Sequence, residues 1–172
     1  MEYNLSTCIR SIENFPKPNI LFRDITTLLN DVGVYQQALD ELEVIASEYE
    51  FDVIAAMESR GFIFGGVLAD RLRKRFVPIR KPGKLPYKTY QVQYELEYGI
   101  DALEVHTDAF TLTDRVLIID DLLATGGTAK AAADLVELSG ATVSNFLFLI
   151  ELTELRGREI LKDYTINSLV KY

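Results

Sequence analysis

The 172-residue sequence predicts an α/β fold, a mainly parallel central sheet flanked by helices on both sides. Two stretches carry that prediction, each reading strand, helix, strand: FDVIAAM to FVPIR, and RVLIID to ATVSNFLFLIEL. A third observation is the threonine- and glycine-rich turn in IIDDLLATGGTAK, Ile118 to Lys130, which leads from a buried strand into a helix. Ligands on such sheets gather outside the carboxyl ends of the strands, and both ESRG (58–61) and DDLLATGGT (120–128) fall at such ends.

Taken in order, Leu5 to Phe15 has the phasing of a short amphipathic helix. Pro16 and Pro18 in FPKPNILFRDITTLL break that phasing and call for an extended entry. From Val34 to Tyr49, apolar residues at Ala38, Leu42, Ile45, Ala46 and Tyr49 recur at three- and four-residue spacing, the stripe of a helix packed on a core. FDVIAAM is rich in β-branched and small apolar residues, as expected of a strand buried on both faces. Residues 62–74 return to helix, and FVPIR gives the next strand. The long segment 81–110 opens as a Gly-, Pro- and Lys-rich loop, and the alternation in YQVQYELEY suggests a hairpin or flap, best read as a lid. RVLIID is then a strand, TAKAAADLVELSG a helix closed by a glycine, and ATVSNFLFLIEL the strand completing the second unit.

No repeat, low-complexity tract or linker divides the chain, so residues 1–172 are expected to form a single domain. No stretch sustains the roughly 20 apolar residues of a membrane span, and the N-terminus lacks the charged and apolar blocks of a signal peptide, so a cytosolic location is expected. Cys8, the single cysteine, has no partner for an internal disulfide and is assigned no chemistry. A net charge of −8 argues against broad attraction to nucleic acid or anionic lipid. Yet Arg71 to Lys88 carries many basic residues and no acids, which suits a small, multiply charged anion; the other reading is a solvated helix end followed by a loop.

Thr125, Gly126, Gly127 and Thr128 connect a strand to a helix, where backbone amides and the positive end of the helix dipole converge on one point. An anion belongs there. The turn lacks the GK[ST] of a nucleotide P-loop and the GxGxxG of a dinucleotide fold, so a monophosphate is the expected ligand. Asp120 and Asp121 would repel a bare phosphate and make sense if the same ligand offers hydroxyl donors close by, as a ribose does. The competing reading has the acids capping the strand end and TGGT forming an ordinary αL turn and helix N-cap, as at many strand-to-helix junctions.

VLIIDDLLATGGTAKAA resembles the phosphoribosyl diphosphate motif of the type I phosphoribosyltransferases, and its ATGGT ending is closest to the adenine-specific branch. The resemblance covers nearly the whole chain. FPKPNILFRDITTLL looks like that family's N-terminal hood, ESRGFIFG like its pyrophosphate loop, RKPGKLP and EYG like its flexible catalytic loop, and IELTELRGRE like its C-terminal signature. It implies a type I phosphoribosyltransferase-like fold with a small hood at about 1–33 and a flexible lid loop at about 81–100. The implied reaction converts adenine and 5-phosphoribosyl 1-diphosphate to AMP and pyrophosphate, with Mg²⁺ carried by the diphosphate and no direct protein metal site, in a homodimer.

By the same resemblance, Asp120, Asp121, Ala124, Thr125, Gly126, Gly127 and Thr128 would hold the ribose 5-phosphate. Ser59, Arg60, Gly61, Arg80, Lys81 and Lys84 would face pyrophosphate, some across the dimer interface. Arg71, Arg73, Lys74 and Arg75 match none of these positions and are expected to be solvent-facing helix. Glu58 and Arg60 could otherwise form a plain surface pair. Glu97 is the expected general acid/base or N7-recognition group and Tyr98 helps close the lid; the bland reading of Glu97 is a solvated hairpin face. Backbone groups of Leu21, Phe22 and Arg23 would read adenine, with Leu152 as an apolar wall. Asn19 stands where the family commonly has glycine, and asparagine tolerates the positive φ such a turn needs. His106 is expected to be structural, and Tyr87, Tyr90 and Tyr94 to pack the lid rather than stack on bases.

Two alternatives remain: another purine phosphoribosyltransferase, for hypoxanthine, guanine or xanthine, or a non-catalytic regulator that senses the phosphoribosyl ligand. The length leaves no room for an added DNA-binding module and the net charge is wrong for DNA.

Overall fold

The computed structural model describes residues 2–96 and 99–172. Contacts divide the chain into two compact units, residues 1–41 and 42–172.

In the first unit, α1 is only Leu5–Cys8, started by Asn4, whose side-chain oxygen accepts from the Ser6 amide. The expected helix to Phe15 is not formed. Arg10–Glu13 instead makes β1, paired antiparallel with β2, Leu21–Asp24, because residues 14–20 reverse the chain and bring Leu21 opposite Glu13. The reversal uses two left-handed asparagines, Asn14 (φ 58°) and Asn19 (φ 66°), and the Asn14 side chain accepts from the Asn19 amide at 3.0 Å. Asn19 thus does what was expected of it. Asp24 ends β2 and accepts from the amide and hydroxyl of Thr26, which opens α2, Thr26–Leu29. Arg10 pairs with Asp24 at 2.5 Å, and hydrogen bonds from Arg10 and Thr26 hold the Asp24 carboxyl down to about 2. Asp31 accepts from the amides of Gly33 and Val34 at the start of α3, Val32–Ala46.

The second unit is built on a five-stranded, all-parallel sheet of order β4-β3-β7-β8-β9. Its strands are β3 (Val53–Met57), β4 (Arg75–Ile79), β7 (Arg115–Leu123), β8 (Thr142–Glu151) and β9 (Ile166–Lys171). Helix α4, Gly61–Leu72, connects β3 to β4, and α5, Gly127–Leu138, connects β7 to β8. Between the two connections, β5 (Thr89–Leu96) and β6 (Gly99–His106) form the expected antiparallel hairpin. The short helix α6, Gly157–Ile160, precedes β9, which had no counterpart in the sequence reading. Among the described residues no helix is long and apolar enough to cross a membrane.

The central strands are apolar on both faces because both faces are covered. Val53, Ala55, Met57, Val116 and Ile118 share one buried cluster with Ala129, Ala132, Leu135 and Val136 of α5 and with Leu103 and Val105 of the hairpin. The opposite face carries α4, which lies close because Gly65 has no side chain: a Cβ there would meet the Ala56 Cβ at 2.7 Å and Ile119 Cγ2 at 2.9 Å. Gly66, one residue on, faces open space.

The basic residues 71–75 are not the solvent-facing helix the sequence suggested. Arg73 adopts the left-handed conformation that ends α4, so Lys74 and Arg75 lie beyond it. Arg71 pairs with Glu43, the Lys74 ammonium donates to the Phe51 carbonyl and lies 5.1 Å over its ring, and Arg75 pairs with Asp114. These groups tie elements together at the amino ends of the strands.

The two neighbouring glycines of α4 give a direct check. Gly65→Ala is expected to destabilise the fold by about 1–3 kcal/mol through overpacking. Gly66→Ala, with room for a methyl, is expected to stabilise it by up to about 1 kcal/mol through helix propensity. Denaturant unfolding of the pair measures both; equal effects would mean that α4 does not rest on the sheet at Gly65.

Candidate active site

β3 and β7 are neighbours in the sheet, and each delivers its carboxyl end to a helix N-terminus, β3 through 58–60 to α4 and β7 through 124–126 to α5. Neither helix is capped by a side chain at its N-cap residue, Arg60 or Gly126. The first-turn amides of α5 therefore stay available for an outside acceptor, whereas at α4 those of Phe62 and Ile63 already donate to the Ser59 and Arg60 carbonyls; the positive dipole end stands behind both turns. A cavity of 190 Å³ opens here, lined by Arg60, Asp120, Asp121, Thr125, Gly126 and Thr128 with their neighbours. Gly126 sits at φ 86°, the left-handed turn that the plainer reading of TGGT also expects, and it offers no side chain that would occupy the amides ahead of it.

The acids lie deeper in the strand than the sequence suggested. β7 runs on to Leu123 rather than ending at Asp120, because Leu122 and Leu123 continue in register with Ile150 and Glu151 of the long strand β8. The turn proper is limited to 124–126, and both carboxylates belong to the strand's last turn of pleat. Asp121 is 3% exposed and pairs with Arg60 Nε at 3.0 Å. Asp120 Oδ1 accepts from the Asp121 amide at 2.9 Å. Gly61 makes the approach of α4 to β7 possible, since a Cβ on it would lie 2.9 Å from Asp120 Oδ1 and 3.0 Å from the Ile119 carbonyl.

Burial pushes the Asp120 carboxyl well above the usual range, and the charge of neighbouring Asp121 adds to the rise. Burial raises Asp121 as well, opposed by Arg60. A ligand that donates hydroxyls to these oxygens would offset the cost of burying them.

Ser59, Arg60 and Gly61 sit at the tip of the β3 carboxyl end, where the Glu58–Ser59 peptide is cis. Arg60 turns to Asp121, which replaces the surface pair with Glu58 as its reading. Glu58 takes Arg80, at 2.8 Å from Nε, and accepts from the Lys81 amide at 3.1 Å. Lys81 Nζ donates to Asp101 at 2.8 Å. The Arg80 guanidinium donates to the Lys84 carbonyl, while Glu104 accepts from the Lys84 and Leu85 amides, all at 3.2 Å. Arg80 also bridges Glu104 through the backbone, extending β4 onto β6. The basic loop is thus shaped by three acids: Glu58, which the sequence suggested only as a partner of Arg60, and Asp101 and Glu104, which it did not single out. The available signal was Glu104: a carboxylate inside the apolar run ALEV, now only 5% exposed.

The hairpin packs on α5. Tyr90 and Tyr94 are partly buried against the core cluster, as packing residues should be. The Tyr94 hydroxyl meets Asp101 at 3.3 Å and also reaches the Thr128 side chain, so hairpin and cradle touch. Tyr87 is exposed, its ring edge-on to His106, whose Nε2 accepts from the Tyr87 amide at 3.4 Å. That supports a structural role for His106. Glu97 and Tyr98 lie outside the described residues. Leu21, Phe22 and Arg23 lie in β2 of the first unit; Leu152 follows β8 in the second, with its amide donating to the Leu123 carbonyl at 2.9 Å.

The parallel sheet with an acidic pair and an uncapped glycine turn at the end of a central strand is what the resemblance to phosphoribosyltransferases leads one to expect. The family model described as phosphoribosyl transferase domain matches residues 34–168, and the chain belongs to that family. Its relatives carry a narrower name. The adenine phosphoribosyltransferase of Kosmotoga olearia is 51% identical over 169 residues, 98% of this chain and 99% of that one. The solved adenine phosphoribosyltransferase of Thermoanaerobacter pseudethanolicus superposes with a TM-score of 0.95 at 50% identity, covering 98% of each chain. That of Saccharomyces cerevisiae, solved with adenine and an imino-altritol 1,6-bisphosphate, has a TM-score of 0.89 at 39% identity and 95% coverage of each.

The raised carboxyls set the sign of a pH test. A carboxyl raised in the folded state costs stability as pH rises from its unfolded value, 3.8, and the cost persists above the folded value. Asp120→Asn is therefore expected to raise the melting temperature of the ligand-free protein at pH 7, and the gain should vanish below about pH 4. Melting curves across that range check it; a loss of stability at pH 7 would mean that the Asp120 charge is compensated in the empty site.

Proposed function

We propose that this chain transfers the 5-phosphoribosyl group of 5-phosphoribosyl 1-diphosphate to N9 of adenine, giving AMP and pyrophosphate. The observation that carries the proposal is the meeting of two uncapped helix starts, α4 and α5, at one cavity with the Asp120–Asp121 pair between them. One helix start suits the 5′-phosphate, the other the diphosphate, and the acids between them suit the ribose hydroxyls. Relatives of about half identity over nearly the whole chain are named for the adenine enzyme, and the yeast relative was solved with adenine and an imino-altritol 1,6-bisphosphate.

In the reaction, the C1′–oxygen bond to diphosphate breaks, the C1′–N9 bond forms and the N9 proton leaves. Ala124 to Thr128 hold the 5′-phosphate with backbone amides and threonine hydroxyls. Asp120 and Asp121 accept from the ribose hydroxyls and fix the sugar's orientation. Ser59, Arg60 and Gly61, with Arg80, Lys81 and Lys84, take the charge of the leaving diphosphate. For Lys81 this means exchanging Asp101 for a diphosphate oxygen. Backbone groups of Leu21, Phe22 and Arg23 are assigned to reading the base, and Leu152 to an apolar wall. Glu97 handles the N9 proton or holds N7, and Tyr98 helps to exclude water from C1′.

Mg²⁺ belongs to the proposal as an ion carried by the diphosphate. The hard carboxylate oxygens of Asp120 and Asp121 at this corner suit such a cation, which commonly binds through substrate phosphates, water and at most one or two carboxylates. Among the described residues no three His, Cys, Asp or Glu side chains gather to hold a metal by themselves. When bound, the ion would offset charge on the departing diphosphate. The proposal also includes a cytosolic homodimer, expected by light scattering at twice 19.5 kDa.

A coupled assay with adenine, hypoxanthine, guanine and xanthine in parallel tests the reading. Turnover confined to adenine is expected; turnover of another purine instead would overturn the specificity, and binding without turnover would favour a sensor. Asp120→Asn and Asp121→Asn should each weaken the phosphoribosyl ligand about 10- to 100-fold, the worth of a hydrogen bond to a charged group. Glu97→Ala should lower kcat by about a hundredfold with little change in KM.

A further inference from the structure

The strand-to-helix turn that forms the phosphate cradle rests, on its outer side, against α6. Two glycines permit the contact, one from each segment. A Cβ on Gly126 would lie 2.5 Å from Ile160 Cγ2 and 2.6 Å from the Gly157 carbonyl oxygen. A Cβ on Gly157 would run into the Ala124 carbonyl oxygen and lie 2.9 Å from Leu123 Cδ1. The cradle backbone therefore has no slack toward α6, and wherever α6 sits, residues 124–126 must follow.

Four residues of helix do not hold their own position. What holds α6 is Arg158. Its guanidinium clasps Glu151, the last residue of β8, through two parallel bonds, Nε to Oε1 at 2.6 Å and Nη2 to Oε2 at 2.7 Å. Its remaining nitrogen donates to the Ile166 carbonyl of β9 at 3.0 Å. Ser168 of β9 donates to the same Glu151 oxygen at 2.6 Å. Glu151 is 4% exposed, and the Arg158 hydrogen bonds hold its carboxyl below the usual range. A forked donor in a fixed plane, satisfied at both β8 and β9, sets position as well as energy.

We propose that Arg158, locked by Glu151, is a positioning residue for the ribose 5-phosphate site: it fixes α6 as the backstop against which the 124–128 cradle holds its amides in place. This rests on the reading of that cradle as the phosphate site. Arg158 acts through Gly157 and Ile160 and needs no contact with substrate. Losing it lets the backstop recede, and the amides lose their common focus while the reacting groups around C1′ stay as they were.

Two variants approach the contact from opposite sides. Arg158→Gln removes the fork, and Gly157→Ala leaves it intact but drives a methyl into the Ala124 carbonyl. Steady-state kinetics should show each raising KM for phosphoribosyl diphosphate about tenfold, with kcat and the adenine KM within about twofold of wild type. Arg158→Lys, a point charge without the fork, should fall between. Hydrogen exchange of the ligand-free protein should quicken at the 125–128 amides in both principal variants. A lower melting temperature with unchanged KM and unchanged exchange would overturn the proposal, as would an unaltered Gly157→Ala should Arg158→Gln fail to fold. If the wild-type chain does not use phosphoribosyl diphosphate at all, the reading of the site fails, and the exchange rates alone still decide whether Arg158 holds the cradle.

Discussion

Two carboxylates stand where two helix dipoles and the glycine turn before α5 invite an anion, and that opposition governs the second unit of this protein. Asp120 and Asp121 are pushed up by burial and by each other, with Arg60 the charge set against them. A cluster of this kind does not improve an empty fold. The proposed ligand, with a phosphate at one end, a charged leaving group at the other and hydroxyls between, would complement it. The sheet order enforces the arrangement: β3 and β7 are adjacent and parallel, so their two following helices start side by side.

Around that corner, the chain uses glycine for closeness and acid–base pairs for position. Gly61 and Gly65 bring α4 down on β7 and β3, while Gly126 and Gly157 bring the cradle against α6. Glu58, Asp101 and Glu104 shape the basic loop at 80–85, and Glu151 anchors Arg158. Charges that would meet the diphosphate are thus already engaged with carboxylates, so binding becomes an exchange of partners with less loop ordering left to be done.

The parts of this design legible in the sequence are those whose signal is local. β3 reads as a strand because all five residues are buried, and its neighbour helix and the β7–α5 turn follow within a few residues. The hairpin shows in the alternation of 89–96. By contrast, β1 is four mostly exposed residues whose existence depends on pairing with β2, and a helical phasing hid it. β9, half-buried along most of its length at the sheet edge, carries no strong pattern. Site residues close in sequence, 58–61 or 120–128, could be named together; Glu104 acts on Lys84 from 20 residues away, and that pairing exists only once β6 lies beside the basic loop. The bases at 71–75 read as solvent-facing helix because their ion pairs to Glu43 and Asp114, distant in sequence, leave no local trace.

The central claim is geometric: one sugar phosphate spans the amides of 126–128 and the carboxylates of Asp120 and Asp121. A crystal structure with AMP tests it most directly. The phosphate should lie at the start of α5 with ribose hydroxyls donating to the two aspartates; a nucleotide bound elsewhere, with this corner closed by its own side chains, would contradict it.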